Sequence, residues 1–322
     1  MRRLLVLLLL VFTAACAPVP TSAPDFTVGS AGAPKPADAG EVTAPPSSAA
    51  AAPACDATAS LRPESPQPQP GAMPSGSTMA TIAARGRLIA GVDQNTYLMG
   101  FRNPESGAIE GFDVDMAREV AKAIFGDPNR IQFKVLTSDE RIPALEKGDV
   151  DIVVRTMTIN CERARKVAFS TVYYQAGQRV LASRGSGITG PDSLGGRKVC
   201  ATKGSSSLAN VANLAAKPVV VSVANWTDCL VMLQQGQVDA VSTDDTILAG
   251  LAAQDPYTEM VGPQFTQEPY GMAMPKANED FVRFVNGVLE RLRTDGTWIA
   301  IHQRWLGVLD RDATPPVAKY RD

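Results

Sequence analysis

Two stretches of the sequence decide the fold: residues 144–154 read ALEKGDVDIVV, and residues 233–242 read LQQGQVDAVS. In each stretch a helix-like segment meets a glycine, Gly148 or Gly236, and a short polar turn leads into an apolar run, which predicts a helix followed by a buried strand. The same unit occurring twice predicts two similar lobes. Ligands of open α/β sheets bind beyond the carboxyl ends of the strands, so we expect the residues after these two strands to face one cleft.

Short β-branched runs alternate with helix-like stretches from residue 81 to residue 307, which predicts an α/β protein with two mixed or parallel sheets. We predict strands at 88–92, 131–136, 151–154, 179–182, 198–201, 219–223 and 240–242. We predict helices at 115–124, 141–147, 208–215, 228–235, 246–253 and 278–294.

Residues 1–15 predict a signal peptide, because Arg2 and Arg3 precede an apolar run that small residues close. The run is far shorter than the roughly 20 apolar residues of a membrane-spanning helix. Cys16 follows, and the segment 13–16 resembles the lipobox of bacterial lipoproteins, with Thr13 where leucine is usual. We therefore expect a lipid on Cys16 that holds the protein at the outer face of the cell membrane. The alternative is a plain secreted protein with an incidental cysteine.

The next segment, residues 16–80, is rich in Pro, Ala, Ser, Gly and Thr and has few large apolar residues. Such a composition does not bury enough surface to offset the entropy of ordering, so we predict a tether. Beyond it we expect residues 81–174 and 270–322 to form lobe one and residues 175–269 to form lobe two.

Charge and cysteine content exclude several classes of function. The net charge is −2, with 31 basic and 33 acidic residues, so the composition predicts no nucleic-acid partner. With Cys16 lipidated, four cysteines remain in an oxidising compartment and allow two disulfides in three connectivities, of which we favour Cys55 with Cys161 and Cys200 with Cys229. No pair has C-x-x-C spacing and the chain has one His, so we expect neither a metal nor a cofactor.

Polar side chains follow both strands of the repeat. Thr156, Thr158 and Arg163 come after the first strand, and Asp244 and Asp245 come after the second. The α-carboxylate of a free amino acid matches a guanidinium and hydroxyl donors, and its α-ammonium needs an acidic acceptor. Each residue alone is more often a solvated charge or a cap, but their convergence predicts an amino-acid site.

Residues 111–121, which read GFDVDMAREVA, resemble the signature of the bacterial extracellular solute-binding proteins of the polar amino acid family. The resemblance runs from about residue 86 to residue 307 and includes INCER at 159–163, FSTVYY at 169–174, DGTW at 295–298 and RWL at 304–306. Tether included, the chain is most similar to actinobacterial lipoproteins of the glutamine-binding type. The resemblance implies a two-lobed fold of the type II periplasmic binding proteins.

For lobe one, the resemblance implies that Asp93 begins a substrate loop and that Tyr97 covers the ligand. It implies that Arg163 clamps the α-carboxylate with the help of Thr156 and Thr158.

For lobe two, it implies that Ser205 and Ser206 add donors at a helix N-terminus and that Asp244 takes the α-ammonium. We expect Asp113, although it lies in the signature, to cap a helix rather than to contact the ligand. Cys161 stands where the family has Asp, and we expect a bond to Cys55 to stiffen the loop before Arg163, the alternative being a redox-sensitive thiol.

The ligand's side chain is predicted from three further cations, Arg102, Arg155 and Lys203. A carboxylate is the natural partner of any that points inward, which favours glutamate or aspartate. Each is equally consistent with an exposed charge, so glutamine and asparagine remain next in order.

We expect strands near 173–177 and 267–271 to form a hinge that closes the lobes over the ligand of a monomeric receptor. The membrane partner is then the permease of an ABC importer or a sensor of amino acid supply. A dehydratase of the cyclohexadienyl or arogenate type is the enzymatic alternative. It needs an acid and a base in the cleft, and His302 falls in the final helical stretch, so we expect no enzyme.

Overall fold

A mixed sheet forms the centre of each of two lobes in the computed structural model, which describes residues 33–43 and 55–322. The strands are β1 (Gly40–Glu41), β2 (Leu88–Val92), β3 (Asn95–Thr96), β4 (Gly100–Arg102), β5 (Ile109–Glu110), β6 (Ile131–Val135), β7 (Ile152–Val153), β8 (Val167–Phe169), β9 (Tyr174–Ala176), β10 (Gln178–Ser183), β11 (Lys198–Thr202), β12 (Val219–Val223), β13 (Ala240–Asp244), β14 (Thr258–Val261), β15 (Glu268–Tyr270) and β16 (Ala273–Pro275).

The α-helices are α1 (Thr78–Arg85), α2 (Phe112–Phe125), α3 (Arg141–Glu146), α4 (Cys161–Lys166), α5 (Ser206–Ala212), α6 (Trp226–Gln234), α7 (Asp245–Gln254), α8 (Glu279–Thr294) and α9 (Thr297–Leu306). A short 3-10 helix lies at Pro191–Leu194. Within the described residues, no helix is long and apolar enough to cross a membrane.

Lobe one is built on the sheet order β6-β2-β7-β16-β8, in which β2, β6 and β7 run parallel and β16 is antiparallel to β7 and β8. Lobe two is built on the order β1-β12-β11-β13-β10-β14, in which β11, β12 and β13 run parallel. The two repeated sequence units supply β7 and β13, which are interior strands of the two sheets. The predicted mixed α/β architecture with two lobes is confirmed.

The helical periodicity of apolar residues explains how the helices cover these sheets. In α2 the buried side chains recur at helical spacing and include Phe112, Met116, Val120 and Ile124, each of them fully buried against lobe one. Lobe two has its own cluster, in which Trp226 of α6 and Leu248 of α7 are buried. Lobe one contains two clusters of buried apolar residues and lobe two is built around a third, so each lobe packs its helices on its own sheet.

Two short strands connect the lobes and pair with each other. β9 and β15 are antiparallel, with Glu268 opposite Ala176 and Tyr270 opposite Tyr174. They lie where the sequence predicts the hinge. The connection is therefore a two-stranded ribbon, which we call the hinge ribbon.

The structure corrects the predicted extent of the tether, because much of the segment before residue 80 packs on the folded body. Leu61 is buried in the core of lobe one, and the amide of Asn286 donates to the Leu61 carbonyl at 2.6 Å. Earlier in the chain, β1 pairs with β12 at the edge of lobe two. Composition did not reveal this, since isolated apolar and polar side chains such as Ser60, whose hydroxyl donates to the Phe169 carbonyl at 2.6 Å, bind a surface that is already folded.

Disulfides join Cys55 to Cys161 and Cys200 to Cys229, in the connectivity that we favour from the sequence. The first joins the N-terminal segment to helix α4 of lobe one. The second joins β11 to α6 within lobe two. The predicted signal peptide and Cys16 lie outside the described residues.

The expected cap at Asp113 is wrong. Helix α2 begins after Gly111, and no side chain makes the cap hydrogen bond. The buried Asp113 carboxylate instead accepts from the Thr156 amide at 2.8 Å and from the Tyr173 hydroxyl at 2.6 Å. Burial raises the pKa of Asp113 to about 7, since desolvation disfavours the charged form more than these two donors favour it. Asp113 therefore holds the loop after β7 in place through its hydrogen bond from the Thr156 amide.

Candidate amino-acid site between the lobes

The residues after β7 in lobe one meet the loop after β11 in lobe two, and we call this contact the cleft. The Thr158 and Ser206 hydroxyl oxygens lie 3.1 Å apart across it, and those of Ser138 and Thr202 lie 3.3 Å apart. A Cβ added at Gly204 would lie 2.6 Å from the Asp139 Cα. The lobes are thus in close contact, which the absence of a side chain at residue 204 permits.

Arg163 lies in the cleft as the sequence predicts. It is 8% exposed and belongs to α4, whose first turn is capped by the Asn160 side chain. Its guanidinium donates to the Thr158 carbonyl at 2.7 Å and, across the cleft, to the Gly204 carbonyl at 3.1 Å. Burial lowers the pKa of Arg163, and the carboxylates of Glu268 and Asp244 oppose that shift.

Arg141 is a second cleft cation, which the sequence did not predict. It begins α3 and is 3% exposed. Within the described residues, its hydrogen bonds go to backbone carbonyls: those of Ser138 at 2.8 Å, Arg155 at 3.1 Å, Thr156 at 3.3 Å and Gly204 at 3.2 Å. Burial holds the pKa of Arg141 well below its usual range, and the guanidinium groups of Arg163 and Arg155 lower it further. Two guanidinium groups therefore converge on the single carbonyl oxygen of Gly204.

The three cations that the sequence predicts for the ligand's side chain have other partners in the structure. Arg102 is exposed, and its guanidinium donates to Gln94 Oε1 at 3.0 and 3.1 Å. Lys203 has a side chain 73% exposed, and its Nζ lies 3.6 Å from Asp139. Arg155 is 1% exposed and pairs with Asp93 at 2.8 Å. The structure does not bring these charges together: Arg102 is engaged within its own loop, Arg155 is neutralised inside lobe one, and Lys203 of lobe two pairs with Asp139 of lobe one at the exposed rim of the lobe contact.

Asp93 and Tyr97 have roles within their own loop. The Asp93 carboxylate accepts from the backbone amides of Gln94 at 2.7 Å and Asn95 at 3.0 Å, and from the Thr96 hydroxyl at 2.6 Å. With the Arg155 pair these bonds fix the loop after β2. The Tyr97 side chain is packed edge-on against Phe101 at 4.8 Å and is 37% exposed, so its ring lies at the rim rather than inside.

Asp244 is the last residue of β13 and is 3% exposed. Its Oδ2 accepts from the Tyr270 hydroxyl at 2.6 Å. Burial, together with the nearby Glu268 carboxylate, raises the pKa of Asp244 to about 8, while Tyr270 and Arg163 oppose the shift. A buried acid of this kind gains most from a cation that enters the site.

The hydroxyl-bearing residues of the site have two kinds of role: some stabilise the local structure, and others present their hydroxyls to the cleft. Ser205 caps α5, because its hydroxyl accepts from the Leu208 amide at 3.0 Å and donates to the Thr202 carbonyl at 2.7 Å. Thr156 is buried and has a φ of 38°, a strained conformation for a β-branched residue. Thr158 and Ser206 project their hydroxyls from opposite lobes toward one another.

Glu268 of the hinge ribbon is the other residue that sequence reasoning missed. It is 2% exposed. One carboxylate oxygen accepts from the hydroxyls of Thr158 at 2.7 Å and Ser206 at 2.8 Å. The other accepts from Asn210 Nδ2 at 2.9 Å and from the Thr266 hydroxyl at 2.7 Å. Only its place in the predicted hinge strand signalled it, and strand alternation alone does not tell which face meets a cleft.

The arrangement brings two guanidinium groups from lobe one against carboxylates from lobe two and the hinge ribbon. Arg141 and Arg163 match planar carboxylates, and Asp244 matches an ammonium group. Among the described residues, no group of three or more His, Cys, Asp and Glu side chains is arranged to hold a metal ion. Such a set of groups suits a ligand that carries both a carboxylate and an ammonium group.

Comparison with known proteins finds a matching family and similar proteins. The family model of the bacterial extracellular solute-binding proteins, family 3, matches residues 88–308. The ABC transporter glutamine-binding protein GlnH of Bacillus subtilis (strain 168) is 41% identical over 230 residues, covering 71% of this chain and 84% of that protein. The glutamine-binding protein of Geobacillus stearothermophilus is 40% identical over 208 residues, covering 64% and 79%. A solved structure of an ancestral arginine-binding protein bound to glutamine is similar with a TM-score of 0.65 at 35% identity, covering 69% of this chain and 99% of that one.

Proposed function

Because this chain belongs to the bacterial extracellular solute-binding proteins, family 3, we propose that it captures a polar amino acid and presents it to the permease of an ABC importer. Glutamate or aspartate is the preferred ligand, with glutamine and asparagine next. The family and the similar proteins are receptors, and the chain is a binding protein rather than an enzyme.

The observation that carries the preference is the pair formed by Arg141 and Arg163. Both guanidinium groups are buried and both donate to the Gly204 carbonyl. We assign the α-carboxylate to Arg163 and the α-ammonium to Asp244. A second carboxylate on the ligand then pairs with Arg141, whereas an amide leaves that buried cation without a charged partner, which is costly in a desolvated site.

The named relatives support the class of ligand. Two are glutamine-binding proteins, and a glutamate-binding protein GluB of Corynebacterium glutamicum is 29% identical over 239 residues. These ligands share the α-amino acid group and differ in one side-chain atom. Arg141 is the group in this cleft that distinguishes a carboxylate from an amide.

We assign the protein to the outer face of the cell membrane, anchored by a lipid on Cys16. The support is the sequence 1–16, with its basic start, apolar run and small residues before cysteine. Cys16→Ser is expected to release the protein from membranes into the medium. A variant that remains in the membrane fraction after a carbonate wash contradicts the anchor and leaves the binding function intact.

Isothermal titration calorimetry of the purified protein against glutamate, aspartate, glutamine and asparagine tests the ligand. We expect the acids to bind more tightly than their amides. No heat with any of the four, together with binding of another solute class, refutes the proposed function. Amides that bind tenfold more tightly than acids refute the role of Arg141.

Arg141→Gln tests the same point from the protein side. Hydrogen bonds to charged groups contribute about 1.5–3 kcal/mol, so glutamate affinity should fall roughly 10- to 100-fold. Glutamine affinity should change far less. Arg102→Gln is the matched control, because it removes the same group from an exposed position and should alter neither affinity. Equal losses for glutamate and glutamine in Arg141→Gln contradict the assignment.

A further inference from the structure

We propose that Glu268 is a positioning residue that makes the cleft selective for amino acids over dicarboxylates that lack the amino group. It does so by holding the hydroxyl protons of Thr158 and Ser206, so that both hydroxyl oxygens face the ligand as acceptors. The inference rests on the proposed function and extends it to the mechanism that recognises the α-ammonium.

The hydrogen-bond count fixes the direction of the hydroxyls. A hydroxyl has one proton to donate, and a carboxylate only accepts. The Thr158 and Ser206 hydroxyls both donate to the same oxygen of Glu268, at 2.7 and 2.8 Å. Their protons are therefore directed to Glu268, and the lone pairs remain for whatever lies in the cleft.

The position of Glu268 is held by its other partners. Asn210 Nδ2 donates to the second carboxylate oxygen at 2.9 Å, and the Thr266 hydroxyl donates at 2.7 Å. Asn210 is in turn fixed by a 2.8 Å bond to Gln178 Oε1. A carboxylate with four donors in a buried strand does not reorient when a ligand enters.

The two hydroxyl oxygens form an acceptor pair that spans the lobes. They lie 3.1 Å apart, Thr158 in lobe one and Ser206 in lobe two. An ammonium group carries three donors and matches such a pair, whereas a carboxylate placed there would meet only lone pairs. This reverses the expectation from the sequence that both hydroxyls donate to the α-carboxylate.

Strand β15 orients the acidic acceptor as well. Glu268 and Tyr270 are two residues apart and so project from the same face of the strand. The Tyr270 hydroxyl donates to Asp244 at 2.6 Å. The hinge ribbon thus supplies the groups that direct three acceptors, those of Thr158, Ser206 and Asp244, toward one ammonium group.

Calorimetry with glutamate and with glutarate tests the inference, because glutarate is the same dicarboxylate without the amino group. If the wild-type protein binds glutamine instead, glutamine and glutaramate are the matched pair. We expect the wild-type protein to bind the amino acid at least about 100-fold more tightly. In Glu268→Gln the new amide donates a hydrogen bond to one of the two hydroxyl oxygens, and the proton of that hydroxyl turns to the ligand. The ratio of the affinity for the amino acid to the affinity for its des-amino analogue should therefore shrink at least tenfold, mainly through weaker binding of the amino acid.

Two further variants keep the result interpretable. Glu259→Gln makes the same change in strand β14, where the side chain is 40% exposed and pairs with Arg184, and it should leave the affinity ratio at its wild-type value. Ser206→Ala removes one acceptor without touching Glu268 and should weaken the amino acid but not its des-amino analogue, which tests the inference even where Glu268→Gln does not fold. Parallel losses for both ligands in Glu268→Gln and in Ser206→Ala refute it, whereas a wild-type protein that binds none of these amino acids refutes the proposed function itself.

Discussion

Replacing Asp244 with asparagine should stabilise the ligand-free protein while removing its ability to bind an amino acid. Burial raises the pKa of Asp244 to about 8, against an ordinary value of 3.8. The folded protein therefore holds a proton on Asp244 between about pH 4 and pH 8 that the unfolded chain releases. Stability consequently falls as the pH rises through this range, because the folded state binds more protons.

The magnitude follows from the width of that range. One pKa unit corresponds to about 1.4 kcal/mol, so the full difference approaches roughly 6 kcal/mol above pH 8, as an upper limit. Asparagine resembles the protonated acid and still accepts from the Tyr270 hydroxyl. We expect Asp244→Asn to match the wild-type protein near pH 4 and to be more stable by a few kcal/mol at pH 8.

Urea unfolding of both proteins at half-unit steps from pH 4 to pH 9 measures the difference. Comparing the two proteins at each pH cancels the other titrating groups. Asp192→Asn, at an exposed position, is the control and should track the wild-type curve. A stability difference for Asp244→Asn that stays constant across the range would show that Asp244 titrates at an ordinary pKa and would refute the reasoning.

Two further predictions concern the disulfide and the lobe contact. Replacing Cys55 and Cys161 together with serine should lower the free energy of unfolding by about 2–5 kcal/mol, since the bond closes a loop with a sequence separation of 106, and thermal unfolding under matched conditions checks it. An unchanged melting temperature contradicts it. Gly204→Ala should weaken ligand binding at least tenfold, because the new Cβ meets Asp139 where the lobes touch, and should also lower the free energy of unfolding by about 1–2 kcal/mol, because an alanine is strained at φ +74°. Unchanged affinity in calorimetry would show that the lobes close elsewhere.

The sequence predicts the parallel strands of both sheets and some of the cleft residues. Each of the seven predicted strands occurs, because runs of β-branched and other apolar residues specify strands locally, whereas the short strands β3, β4, β5, β8, β14 and β16 were not predicted. Helices α1 and α4 were not predicted as elements, and helix α9 was expected only as a final helical stretch around His302, without bounds. Its apolar stripe is interrupted by polar residues that meet lobe one only after folding. Strand β1 is equally invisible in the sequence, because two residues gain their pairing from an existing sheet edge.

The cleft residues differ in how much the sequence reveals. Arg163 and Asp244 follow β7 and β13, and position alone places them near the cleft. Arg141 opens a helix, where an arginine is usually solvated, and only the packing of α3 on lobe one buries it. Arg155 is the reverse case, since Asp93, which is distant in sequence, neutralises it. Which charged residues pair with each other depends on contacts between residues that are distant in sequence, and the local sequence pattern does not predict these contacts.

Because β1 pairs with β12, the chain between the proposed anchor and the folded body has two possible lengths, one with this pairing intact and one after it is lost. With β1 paired to β12, the 24-residue span between Cys16 and Gly40 has a contour length of at most about 86 Å. A pull on the lipid end loads the two residue pairs of β1 first, and their release lets out more chain. The Cys55–Cys161 bond limits the extended chain, because the 39-residue span from Cys16 to Cys55 has a contour length of at most about 140 Å. The receptor would thus be held at short range at rest and reach farther under tension, with the final load borne by lobe one.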